Sequence, residues 1–222
     1  MMNYKTLGRY VLNIRNELFE AIIPEVSEMV NYAIDENLEI KERWYTVNGK
    51  KIPEVNVLWF VKDITSELAS TLDTRDKILL LKDYYLAVKV LSSYGKHEDS
   101  NIRLIKNDYD EAVNNILAAQ PDYFASRMAS LKLAEKIIKS KLESECIEFE
   151  GCQRFTDFPE KLDCANIEGL EEIISKIEDT SKEGDSDTPV TCEEAVSFLE
   201  NSLRLYLKLF HPSKEPKITT RG

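Results

Sequence analysis

The chain has 222 residues, 43% of them hydrophobic, with only 7 Gly and 7 Pro. That length holds one well-buried core or two small domains, and so few Gly and Pro speak against an all-β chain dense in turns. A formal net charge of −11 disfavours a default nucleic-acid binder, because affinity for phosphate comes mainly from Lys and Arg.

In chain order, residues 6–37 repeat apolar positions at Leu7, Tyr10, Val11, Ile14, Leu18, Ile22, Val26, Met29, Val30 and Ala33. Steps of three and four predict one face of a helix, kinked or restarted at Pro24. Residues 41–55 break the pattern. Trp44-Tyr45-Thr46-Val47 favours a strand, Asn48-Gly49 is a strong hairpin turn, and Pro53 limits the return strand to a short edge. A ribbon of two strands needs support from the helices, here expected through Trp44 and Tyr45.

Helical spacing resumes at Val57, Leu58, Val61, Ile64, Leu68 and Leu72, with Asn56 as a cap. The next stretch, 74–94, is apolar over most of its circumference and follows a cap at Asp73 or Thr74. A helix of that kind belongs in the middle of a protein, with other helices laid against it. A shorter helix is predicted over 108–119, its Asp108 and Asp110 at the positive end, and another from Pro121 to Leu142. Periodicity fails between Cys146 and Cys164, where Phe149, Phe155, Phe158 and Leu162 pin an irregular segment. A short amphipathic helix follows over 167–177, then a flexible loop over 180–189. Thr191-Cys192-Glu193-Glu194 is a capping box opening a helix to about Phe210, with His211-Pro212 as its stop and a frayed tail beyond.

The fold class expected is therefore all-α, a multi-helix bundle around a central buried helix at 74–94 with a two-stranded hairpin at 42–55. Residues 1–142 form the helical body, and 143–222 an acidic helical segment packed on it. The acidity is local: from Glu143 to Glu200 there are 18 acids against four bases, while the rest of the chain carries 25 bases and 22 acids. Residues 4–16 mix Lys5, Arg9 and Arg15 into the apolar positions, so no secretory leader is predicted. Four cysteines (146, 152, 164, 192) without a C-x-x-C pair are expected as buried or half-buried reduced thiols of a cytoplasmic protein, with no zinc site.

Three constellations are candidates for chemistry. Arg204 and His211 lie seven apart on the last helix. Their spacing resembles the Arg-x4-6-His motif of the HEPN superfamily of small helical domains, many of which are metal-independent ribonucleases whose motifs meet across a dimer. The resemblance covers about eight residues, and Leu205 follows the arginine where members commonly carry a polar residue. It implies that imidazole exchanges the proton of a ribose 2′-hydroxyl while guanidinium holds the phosphate. Glu17, Glu20, Glu25 and Glu28 form an acidic ladder if their helix is continuous. Paired Glu-x-x-Glu sets hold magnesium in the all-α nucleotide pyrophosphatases, which this chain resembles in class and size, with Asp73 and Asp76 the nearest second pair. Lys132, Lys136 and Lys139, with Arg127 and Lys141 nearby, form a cationic stripe that reads best as a solvated helix side.

No Glu-x-x-His set, catalytic triad or glycine-rich phosphate loop is present. The function these residues favour is non-enzymatic: a helical interaction module whose acidic surface binds a basic protein partner or a second copy. Trp44, Tyr45, Glu171 and Glu172 are its expected contact residues. No cofactor, metal or membrane is involved, and nucleic acid is not the default partner. A ribonuclease using Arg204 and His211, and a magnesium-dependent nucleotide hydrolase using Glu17 and Glu20, are the alternatives.

Overall fold

The structure is a computed structural model that describes residues 5–25, 30–94, 100–147, 170–182 and 189–211, and only the backbone of 100–104 and 178–182. It divides into two compact units, Met1–Gly95 and Lys96–Gly222. Among the described residues the fold is mixed α/β, 57% helical and 21% strand with two sheets, and this overturns the all-α expectation.

The correction begins at the N-terminus. The first apolar segment is an antiparallel hairpin of β1 (Thr6–Ile14) and β2 (Glu17–Pro24), in register from Ile14↔Glu17 to Thr6↔Pro24 with an irregularity at Thr6/Gly8. Tyr10, Val11 and Leu12 are consecutive and all buried, so β1 is covered on both faces. A strand of that kind reads as an apolar run, and helical steps of three and four fit the same residues. Arg15 (φ 52°) and Asn16 (φ 67°) form the two-residue turn in the left-handed region, as a type I′ hairpin requires. The Asn13 side chain accepts from the Asn16 N–H at 3.0 Å. Pro24 closes a strand instead of kinking a helix.

The second sheet has the order β3-β5-β4, from β3 (Asn31–Ala33), β4 (Glu42–Val47) and β5 (Lys50–Asn56). The Asn48-Gly49 hairpin forms as expected, with φ of 50° and 76°. Pro53 does not confine β5 to an edge, for β5 is the middle strand. A two-residue loop makes Val47–Lys50 a hydrogen-bonded pair, so pairs alternate and Trp44–Pro53 is a non-bonded one. The missing N–H of Pro53 thus faces away from β4, and the parallel register with β3 begins only at Glu54.

Val57–Phe60 is a 3₁₀ turn capped by Asn56, which replaces the long helix expected from Val57 to Leu72. Val61 then bridges to Ala21, and only Ser66–Thr71 is α-helical (α1), capped by Thr65. Helix α2 (Thr74–Tyr94) has the expected bounds. Among the described residues of this unit it packs chiefly on strands, β1 and β2, where helices were expected. The Gly8 position lets Leu91 approach, since a Cβ there would lie 3.1 Å from Leu91 Cδ1. Tyr84 donates to the Ile22 carbonyl at 3.2 Å, and Tyr32 of β3 meets Tyr84 and Tyr85 edge-on. Its Asp73 is the cap, in a reciprocal pair with Asp76: the Asp76 N–H donates to Asp73 at 2.8 Å and the Asp73 N–H to Asp76 at 3.2 Å.

The second unit is helical among its described residues. It contains α3 (Ser100–Ile116), α4 (Tyr123–Ser144), α5 (Leu170–Lys182) and α6 (Cys192–Phe210). Helix α4 packs on α3 and α6, and α5 packs on α6. Leu133, Ala134, Ile137, Phe198, Leu199 and Leu203 are buried in these helices. The capping box of Thr191 and Glu194 forms as expected. Because α3 starts at Ser100, Asp108 lies within the helix and not at its positive end, where it pairs with Lys136 of α4. Cys146 is exposed rather than buried, while Cys192 is half-buried. Glu28, Met29, Cys152, Cys164, Phe149, Phe155, Phe158, Leu162 and the C-terminal tail lie outside the described residues.

Candidate protein-interaction surface

Hairpin β4–β5 leaves an aromatic strand in solvent. Trp44 is 48% exposed, Tyr45 40% and Val47 43%. The expectation that Trp44 and Tyr45 fasten the ribbon to helices is therefore wrong. The ribbon is supported instead by β3, by the buried Pro53, Val55 and Asn56 of β5, and by the Arg43–Asp35 ion pair at 2.5 Å.

Side chains alternate across a strand. Arg43, Tyr45 and Val47 share the face of Glu54, Ile52 and Lys50, while Trp44 and Thr46 share that of Pro53 and Lys51. The turn-set register also sorts the backbone. Arg43, Tyr45 and Val47 exchange bonds with β5, so the N–H and C=O of Trp44 and Thr46 point outward. β4 is last in the sheet order, and among the described residues no strand lies beyond it. Lys50 and Lys51 are exposed at the turn end, one on each face. Nearby, Trp59 is 42% exposed beneath the Lys41 ammonium, 4.0 Å from the ring centroid. Sequence reasoning passed over Trp59, Thr46 and the two lysines. The Asn48-Gly49 turn already implied which β4 amides face outward, because it fixes the register.

The other candidates fall elsewhere. Glu171 and Glu172 open α5 on its exposed side, and Glu172 pairs with Lys176 at 2.7 Å. That hydrogen bond and charge hold the Glu172 carboxyl below its ordinary range. Arg204 is exposed and pairs with Glu200 at 3.7 Å. His211 lies past the end of α6 with φ −140° and ψ 53°, its ring 6.0 Å from that of Tyr206. His211 is the C-cap of α6, its N–H still donating to the Leu207 carbonyl at 2.8 Å, and Leu205 beside the arginine is buried.

The acidic ladder is not a ladder. Glu17 and Glu20 lie three apart on a strand, hence on opposite faces. Glu20 is held by Arg9 at 3.5 Å and Lys62 at 3.4 Å, and Glu25 pairs with Lys5 at 3.6 Å. Asp76 accepts from Arg15 at 2.9 and 3.0 Å, and the Arg15 hydrogen bond is the main cause holding its carboxyl below the usual range. Among the described residues no group of three or more His, Cys, Asp or Glu could hold a metal ion. In the cationic stripe, Lys136 pairs with Asp108, Lys141 pairs with Glu145 at 2.6 Å, and Arg127 is buried. Lys132 and Lys139 are exposed.

At the head of α4 and α6, burial and the Cys192 thiol beside it push the Tyr123 phenol up from its ordinary range. In comparisons with known proteins, no family model, curated protein or solved structure matches this chain.

Proposed function

We propose that the chain is a protein-interaction module that takes an extended segment of another protein along the outer edge of β4. One observation carries this reading: β4 is exposed from Arg43 to Val47, with aromatic side chains on both faces of a terminal strand. Natural sheets blunt such edges or use them, and an added strand gains main-chain bonds from the edge and specificity from alternate side chains. Trp and Tyr are the side chains most enriched among residues that dominate binding energy.

The second unit carries 26 acids against 17 bases, a field that speeds encounter with cationic partners. Glu171 and Glu172 belong to that field, not to the docking edge. The partner is another protein, with a second copy of the chain as the rival occupant. The reading assigns the protein to the cytoplasm, where its cysteines stay reduced. Among the described residues no helix is long and apolar enough to cross a membrane.

The test is capture from the native source with the full chain as bait, beside a Trp44→Ala/Tyr45→Ala variant and a Glu171→Lys/Glu172→Lys variant. The edge reading expects a stoichiometric partner lost with the first variant and retained by the second. A partner retained by the first variant and lost with the second would transfer the function to the acidic helices.

A further inference from the structure

Resting on that reading, we infer that the occupant of the β4 edge is an extended segment with apolar side chains beside Trp44 and Tyr45 and acidic ones beside the Asn48-Gly49 turn. Three features fix its chemistry.

The outward N–H and C=O groups of Trp44 and Thr46 call for another backbone, since among the described residues no strand pairs with that side of β4. Trp44 and Tyr45 lie on opposite faces of β4. A docked strand meets both, because its own side chains alternate between the same two faces. A single-stranded nucleic acid stacks its bases on one aromatic platform, and opposed rings do not make one.

Charge then orients the segment. From Lys41 to Glu54 the ribbon has four bases and two acids. Asp35 engages Arg43 at the far end, so the surplus lies at the turn, on Lys50 and Lys51. Strands lie about 4.8 Å apart, and a lysine stem spans β4 to reach a neighbour on either face. Acidic side chains at that end of the docked segment find a cation on each face. A second copy pairing in parallel through the same edge would bring the two sets of lysines together, and one pairing antiparallel would set them beside the other copy's Arg43; like charges resist both.

The experiment follows amide exchange in the full chain by NMR, with four additions. These are a short synthetic peptide alternating Val and Glu, one alternating Val and Lys, oligouridine, and the protein itself at rising concentration. The Val–Glu peptide is expected to slow exchange at Trp44 and Thr46. Lys50→Glu/Lys51→Glu should weaken its affinity about tenfold, as two exposed charge pairs each contribute a few-fold. Thr46→Pro removes one outward donor and no bond to β5, so it should abolish binding while Tyr45 and Val47 stay protected.

Protection by the Val–Lys peptide in place of Val–Glu would overturn the acidic chemistry and leave the edge reading intact. Protection by oligouridine alone, or by concentration alone, would overturn the inference in favour of nucleic acid or a second copy. If no addition protects these amides the inference fails, and the capture experiment alone then judges the edge.

Discussion

At Asn56 one buried amide serves several backbone groups at once. Its carbonyl oxygen accepts from Asp35 at 3.0 Å and Leu58 at 3.2 Å, and its NH2 donates to the carbonyls of Asp35 and Ile40, each at 3.0 Å. It ties the 34–41 loop to the end of β5 and caps the 3₁₀ turn. Asn56→Ala orphans two N–H donors and the carbonyls of Asp35, Ile40 and, at 3.4 Å, Asn37, so chemical denaturation should show a loss of about 2–4 kcal/mol. Asn56→Asp keeps the acceptor but sets a carboxylate against carbonyls, and should do no better. Asp76 makes a prediction in pH. Its carboxyl, bonded by Arg15, titrates below its model-compound value of 3.8. A depressed carboxylate contributes stability that is present above the unfolded pKa and lost as pH falls through the folded one. The melting temperature of wild type should exceed that of Asp76→Asn at neutral pH, and the gap should close below about pH 3.8. An unchanged gap at acid pH would remove the Arg15–Asp76 clamp from the account.

Elements show what the sequence made legible. The Asn48-Gly49 hairpin, helix α2 and the α6 capping box were readable because each rests on local chemistry: a turn dipeptide, an uninterrupted apolar run, a hydroxyl with a carboxylate three residues on. The β1–β2 hairpin was not readable. Arg15-Asn16 lacks the glycine that marks a type I′ turn, and Arg15 is held there by distant Asp76 and the Thr71 carbonyl. Tertiary contacts chose strand where spacing alone allowed helix. The acidic ladder, legible only as a helix, disappeared with it. The proposed docking edge was half legible: Trp44 and Tyr45 stood out by type, but that β4 is a terminal strand depends on β3 pairing with β5 from outside the ribbon. Gly49 tests the ribbon by itself. Its φ is +76° and nothing lies within 4 Å of a Cβ placed there. Gly49→Ala should therefore cost about 1 kcal/mol from backbone strain alone, read by denaturation, and should loosen β4 without disturbing α2. A neutral result would mean that the turn is not left-handed.

For the whole molecule, charge and architecture separate along the chain. Residues 1–95 carry 12 bases and 14 acids, and the excess acid belongs to the helical unit, 96–222. The near-neutral unit holds both sheets and the exposed aromatic strand, so the proposed docking surface and the acidic field belong to different units. Salt should therefore affect them differently, since the screening length shrinks from about 10 Å at 0.1 M to 3 Å at 1 M while apolar and backbone contacts persist. Both assignments rest on β4 being a strand paired on one side. Residue-resolved amide exchange on the free protein reads this directly. The account predicts alternation, with Arg43, Tyr45 and Val47 slow and Trp44 and Thr46 fast. Uniform protection along β4 would mean that the edge is already covered, and uniform fast exchange that the strand is not formed; either would contradict the proposed function.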